Sequence, residues 1–254
     1  MAAKRSKRPY FVVAFLAFLA ALLGLLLGSE ARTLANYAAL PLSEVSEIKR
    51  MPVGKMVRLE GRAHSEPPLL MADGSALAVQ VIKFRHRMGS RDTTDYNGTL
   101  PASFILGNEV SHKADDQIMV RTQRINPDFS SRAPFQYRLD GTPADVQKRI
   151  ETSISPAFRN YDYVRSDRSW LYVASLPQDS HITVCGLIEP PVSNRPQLDA
   201  RCVDPLIGQE FSRHALASSR QKGKIGTIVL GAALFVLALD GVFYYRYRRG
   251  KQSP

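Results

Sequence analysis

Cysteine and tryptophan are scarce: the 254 residues hold two cysteines, Cys185 and Cys202, and one tryptophan, Trp170. Two thiols are too few for a multi-cysteine zinc site. The five histidines, His64, His86, His112, His181 and His214, do not help. None recurs at i+3 or i+4 with another histidine, a cysteine or a carboxylate in a known metal-ligand pattern; His64-Ser65-Glu66 and His112 with Asp115 and Asp116 are the nearest candidates, and solvated surface histidine is the default. No Gly-x-Ser-x-Gly, His-Glu-x-x-His or P-loop spacing occurs. The neighbours Asp115-Asp116 and the pair Asp162/Asp167 read as turn or surface carboxylates. The sequence therefore offers no catalytic residue, no metal ligand and no cofactor site, and a non-enzyme is the expectation. Should the chain be an enzyme or a ligand carrier, His64, His86 and His181 are the first residues to suspect.

Acidic residues are missing before Glu30, and charge of either sign is missing from 11–28. That second gap, FVVAFLAFLAALLGLLLG, is too long and too apolar for an ordinary soluble helix. A companion stretch, IGTIVLGAALFVLALDGVFYY, fills 225–245. At about 1.5 Å per residue, either run spans roughly the 30 Å of a bilayer core. A cleaved signal peptide is the rival reading of the first run. Its length exceeds the roughly 7–15 residues of a signal core, which favours an uncleaved anchor. Four basic residues and no acid precede the first run, so that end is expected in the cytoplasm. The second run has basic residues on both sides, and the first span decides. Both termini are then cytoplasmic and everything between the spans lies outside.

The net charge of +11 suggests nucleic acid, but its distribution argues otherwise. Residues 1–9 carry +4 and residues 246–254 another +4, leaving +3 for the rest. Basic residues beside a span meet anionic headgroups. No basic patch interleaved with aromatics is read in the sequence, so membrane lipids are an expected partner and nucleic acid is not.

The expected organisation is a basic tail (1–10), a first membrane helix (11–28), a juxtamembrane linker with some helical content (29–53), a β-domain (54–210), a polar connector (211–224), a second membrane helix (225–245) and a basic tail (246–254). Within the domain, strands are predicted at 56–59, 76–85, 103–106, 117–122, 135–139, 170–176, 181–188 and 198–203. Asp73-Gly74 supplies a turn and Glu60-Gly61 a bulge or close approach. Residues 88–101, polar and containing Asn97-Gly98, read as a loop or hairpin tip. Asn97-Gly98-Thr99 also matches a glycosylation sequon, relevant only in a eukaryotic secretory setting. Thr142-Pro143-Ala144-Asp145 has the cap, first-turn proline and acid of a helix start, predicting a helix to about Ile150. Many short strands and one inserted helix predict a mainly β fold, a small OB-like barrel or sandwich, between two transmembrane helices.

Cys185 and Cys202 lie symmetrically about the Ser193–Asn194 step. In an antiparallel hairpin with its tip there they oppose each other, within disulfide reach if the pair is of the non-hydrogen-bonded type. Two reduced structural cysteines are the other reading. Asp240 is the single acid inside the second span, either an interfacial residue reaching Arg246 or water, or a contact to another helix. Thr227 and Gly231 form a small-xxx-small pair that could pack against a helix.

Four stretches carry a resemblance. Leu59-Glu60-Gly61 and Glu66-Pro67-Pro68-Leu69-Leu70 within 54–88, DDQIMVRTQRINP at 115–127, WLYVASLPQDSHITVCGLIE at 170–189, and the basic approach to the second span resemble the GIDE domain. That domain occurs in mitochondrial ubiquitin ligases and in many prokaryotic membrane proteins. The resemblance covers about 60% of the chain in patches and implies two spans around an outer domain. The ligases carry a zinc-binding RING after the second span, which needs about eight Cys/His ligands. Here nine residues follow Tyr245, with neither Cys nor His among them. Ligase activity is not implied. Surfeit-type oxidase assembly factors share the layout, but their Arg-Gly-Trp strand is not found. The expectation is a doubly anchored module that binds a protein partner or self-associates.

Overall fold

The computed structural model describes residues 8–88, 91–107, 117–121, 135–138, 148, 154–158, 169–192 and 195–250. The chain divides into two compact units, a helical one (1–39 with 212–254) and a β-domain (40–211).

The helical unit pairs α1 (Arg8–Ala39) with most of α2 (Gly208–Gly250). Both are long and apolar enough to cross a membrane. Their 32 and 43 residues correspond to about 48 and 65 Å, well beyond the roughly 30 Å of a hydrocarbon core. The expected linker after residue 28 is thus helical as far as Ala39, and the expected connector 211–224 is helical throughout.

The contact between the two helices follows from missing side chains. On α1 Ala14, Ala17, Ala21, Gly24, Gly28 and Ala31 form a shielded row at spacings of three and four that continues through Ala35 and Ala38, flanked by the half-buried Leu27, Leu34 and Tyr37. The row is all Ala or Gly, so the backbones approach closely. A Cβ on Gly24 would sit 2.9 Å from the Gly226 oxygen, and one on Gly226 would sit 2.9 Å from the Gly24 oxygen. Outside this crossing, Ser219 Oγ donates to the Ala31 carbonyl at 2.7 Å and Lys222 Nζ to Glu30 Oε2 at 2.7 Å.

The β-domain has two sheets. In the first, β2 (Met56–His64), β10 (Ser180–Val192), β11 (Arg195–Asp204), β7 (Gln117–Arg121) and β6 (Ser103–Gly107) are neighbours in that order. β6 also pairs with β2, so the hydrogen bonding closes into a five-strand ring. Only β11–β7 is parallel among the ring pairs. The two-residue β1 (Leu42–Ser43) lies parallel to β2, and a 3-10 turn (Val45–Arg50) follows it. The ring's interior is apolar, with Leu59, Leu106, Ile118, Ile182, Val184 and Leu198 all fully buried. Gly61 stands where β2 is bonded on both sides. A Cβ there would collide with the Gly107 carbonyl oxygen, which gives the close approach expected at Glu60-Gly61 its cause.

The second sheet runs β5 (Arg91–Leu100), β4 (Ala76–Met88), β9 (Ser169–Pro177), β8 (Phe135–Arg138), with the short β3 (Leu69–Leu70) also on β4. β5 corrects the reading of 88–101 as a loop. Asn97 and Gly98 lie inside the strand opposite Lys83 and Ile82, and the ladder extends to the Met88–Arg91 pair. Asp73-Gly74 does form the expected turn, with Gly74 at φ +84 and Asp73 accepting from Ser75 N–H and Oγ. Those two bonds hold the Asp73 carboxyl below its ordinary range, the hydroxyl contributing most. Fully buried Gln80 ties the sheet to the 154–158 segment, accepting from Ser155 N–H at 2.8 Å and donating to Ser175 Oγ at 2.9 Å. Of the helix predicted to start at Thr142, only Lys148 is described, and it is helical; the rest lies outside the described residues.

Candidate functional site: a buried ionic clamp

Strand alternation puts the apolar residues of β2, β10 and β11 inside the ring and the intervening ones outside. Two cross-strand rows stand side by side on that outer face. Arg58 opposes Cys185, which opposes Cys202; Glu60 opposes Thr183, which opposes Asp204. Six residues with polar or thiol groups would be ordinary on an exposed face. Here Arg58, Thr183, Cys185 and Asp204 are buried, because segment 205–211 folds over them.

The cover is fastened by hydrogen bonds. Arg58 Nη2 donates to Glu60 Oε1 and to the Gly208 carbonyl, both at 2.7 Å. The same Glu60 oxygen accepts the Gly208 N–H at 2.8 Å. Thr183 Oγ1 donates to the Leu206 carbonyl at 2.6 Å, and Asp204 Oδ1 accepts the Leu206 N–H at 2.8 Å. The Arg58 guanidinium also lies 4.7 Å above the centre of the buried Phe211 ring. Gly208 has φ +58, a conformation that suits glycine at this sharp entry into α2. Glu60 thus acts as a remote cap: a carboxylate placed on the Gly208 amide, at the positive dipole end of α2.

Cys185 and Cys202 pair across the strands in the register inferred from their symmetry. Two irregularities, one after Cys185 and one after Glu189, offset each other and preserve that register. Both cysteines are free thiols, so the candidate disulfide is not formed here. Cys185 is pushed well above the usual thiol range, chiefly by its hydrogen-bonding contact with Cys202, then by burial. A protonated buried thiol is a poor nucleophile. At Gly186, next in the chain, a Cβ would meet the Asp199 oxygen at 2.6 Å, which shows how tightly β10 and β11 close here.

The other expected site residues are scattered. Thr227 is exposed and donates to its own helix at the Gly223 carbonyl, while Gly231 has nothing within 4 Å of a would-be Cβ. Neither packs on α1; each sits one residue, about 100°, from the row Gly223, Gly226, Leu230 and Ala233 that does. Asp240 continues that row seven residues beyond Ala233 and is half-buried, unlike its exposed neighbours Leu239 and Gly241. His64 on β2 lies 3.7 Å from Glu66, His181 opposes Arg62, and His86 opposes Thr93 in the other sheet. No cluster of three metal-ligating side chains occurs among the described residues.

Arg58, Glu60, Thr183 and Asp204 escaped the sequence reading. The signal was present in Met-Val-Arg-Leu-Glu-Gly-Arg, where two charges alternate with apolar residues. That pattern is equally that of any strand with one wet face. No family model, curated protein or solved structure matches this chain.

Proposed function

We propose that the chain is a doubly membrane-anchored, non-enzymatic module of GIDE type, whose β-domain sits on the non-cytoplasmic side and binds a protein partner or organises a membrane assembly. The closed five-strand ring is read as an OB-like barrel, a frame that commonly presents binding surfaces. The observation that carries the proposal is the clamp. Arg58 and Glu60 are committed to the backbone of Gly208, where the β-domain ends and α2 begins, so the ring fixes the stretch of chain that leads out of it. In an oxidising compartment, exchange with an oxidised dithiol converts Cys185 and Cys202 into a disulfide that staples β10 to β11. One protein disulfide is then reduced to two thiols as one S–S bond forms here.

The test is crosslinking of the full chain in its native membrane, then purification in mild detergent. A stoichiometric partner, or a defined oligomer of the chain, is expected. Repeated recovery of the monomeric chain alone would overturn the proposal.

A further inference from the structure

The two flanks of the helix pair differ in charge. Gly24 and Gly226 mark the direction of contact on each helix, since a Cβ on either would strike the other's backbone. The helices are antiparallel, with Gly24 beside Gly226 and Leu230, and Ala31 beside Ser219 and Gly223. One sense of rotation therefore leads to the same flank on both. At about 100° per residue, Glu30 stands about 120° from contact on α1, and Lys222 about 40° in the same sense on α2. Their 2.7 Å ion pair agrees with that placement. In the other sense, Arg32 stands about 80° from contact on α1 and Arg220 about 120° on α2. These two share a level as well as a flank. Arg32 follows Ala31 and Arg220 follows Ser219, and Ser219 Oγ donates to the Ala31 carbonyl. Lys224 lies one turn from Arg220, on the outer side of that flank. All three bases are exposed, and none is ion-paired among the described residues.

We propose that this flank is a binding site for one anionic phospholipid. Arg32 and Arg220 hold its phosphate, Lys224 stands beside them, and an acyl chain runs along the helix pair below. The apolar runs end at Gly28 on α1 and begin at Ile225 on α2. Arg32 and Arg220 lie about 6 and 7.5 Å beyond those ends. With the helices across a membrane, that is the depth of the headgroup layer, about 5–8 Å thick. Guanidinium forks match phosphate oxygens two at a time. Toward the lipid, Gly28, Thr227 and Gly231 lie on the same flank, about 40°, 100° and 140° from contact. A Cβ on Gly28 or Gly231 would meet nothing within 4 Å, so a shallow groove continues downward from the bases. The opposite flank has no such charge to offer, because Lys222 is paired with Glu30. The inference requires only that the helices cross a membrane, and it holds whether or not the β-domain binds a protein.

The experiment titrates the full chain in detergent micelles with dioleoylphosphatidylglycerol, read by native mass spectrometry. One saturably bound lipid is expected, held at least tenfold more tightly than dioleoylphosphatidylcholine. Arg32→Gln with Arg220→Gln should weaken it at least tenfold, with the thermal transition of the chain checked alongside. Arg32→Lys with Arg220→Lys keeps the charge but loses the forks, and should weaken it at least threefold. The control Arg50→Gln with Lys55→Gln, which removes two exposed charges of the β-domain, should stay within twofold. A phosphatidylglycerol with a photoreactive diazirine on its headgroup should crosslink within 29–36 and 216–224. Equal binding of phosphatidylcholine, or undiminished binding by the double glutamine variant, overturns the proposal. So does native affinity in the double lysine variant, since any base would then serve. Crosslinks confined to the basic tails would place the lipid elsewhere and contradict the site. Displacement by millimolar inorganic phosphate would make a free anion the occupant and contradict the lipid. Recovery or loss of a protein partner bears on the module reading alone.

Discussion

The helical unit and the β-domain solve the same problem, holding two chain segments together, by opposite means. The helices meet through what they lack: Ala17, Gly24, Ala31, Gly226 and Ala233 leave no side chain in the way. The β-domain holds the 205–211 segment through charge, with Arg58 buried and Glu60 half-buried against it. The difference follows from the surroundings. In lipid there is no hydrophobic force between apolar helices, so close van der Waals contact decides. In a water-facing domain, burying an ion pair adds little net stability over an apolar pair. Breaking one is costly, which makes the contact selective for its correct partner.

The largest effect should come from breaking the clamp. Arg58→Ala or Glu60→Ala leaves the other charge buried and should cost the domain about 3–5 kcal/mol in urea unfolding. The thiol pair comes next. Forming the Cys185–Cys202 disulfide closes a loop of about 16 residues and should add about 3 kcal/mol in the loop-entropy model, measured as a shift of the unfolding midpoint against the reduced chain. With thiols kept reduced, Cys185 should react with iodoacetamide only as the domain unfolds, read by mass spectrometry. On the helical side, Gly24→Leu or Gly226→Leu drives a side chain into backbone 2.9 Å away and should cost about 1–3 kcal/mol or splay the pair, read by inter-helix distance measurements. Gly231→Leu, one residue off the contact row, should leave the spacing unchanged. The smallest effect is at Asp73. Its folded pKa lies below the ordinary value of 3.8, so its contribution is present above that pH and lost as the pH falls through the lowered value. Ser75→Ala should therefore reduce stability at neutral pH and make no difference in strong acid.

How much of this was legible depended on whether the cause was local. Strand positions were readable because turn residues and alternation are local signals, and each of the eight predicted strands overlaps an observed one. The cysteine register was readable because two irregularities offset each other, which symmetry alone could not have guaranteed. β5 was misread because Asn97-Gly98, a hairpin-tip pair by composition, is overruled by its ladder with β4. The Ala/Gly row of α1 was visible as a three-and-four repeat, but it needs the facing glycine of α2 to have meaning. The clamp was the least legible. Arg58 and Glu60 look like an ordinary wet strand face until segment 205–211 covers them.

The most direct test is a double-mutant cycle on the clamp, with amide exchange at Leu206 and Gly208 as a second readout. Arg58→Met and Glu60→Leu should each destabilise the domain by several kcal/mol and speed exchange at Gly208. The double variant should recover much of the loss, because an apolar pair can replace a buried ionic one. Strictly additive losses, or single losses under about 1 kcal/mol with exchange unchanged, would show that the pair does not hold the helix root and would contradict the account.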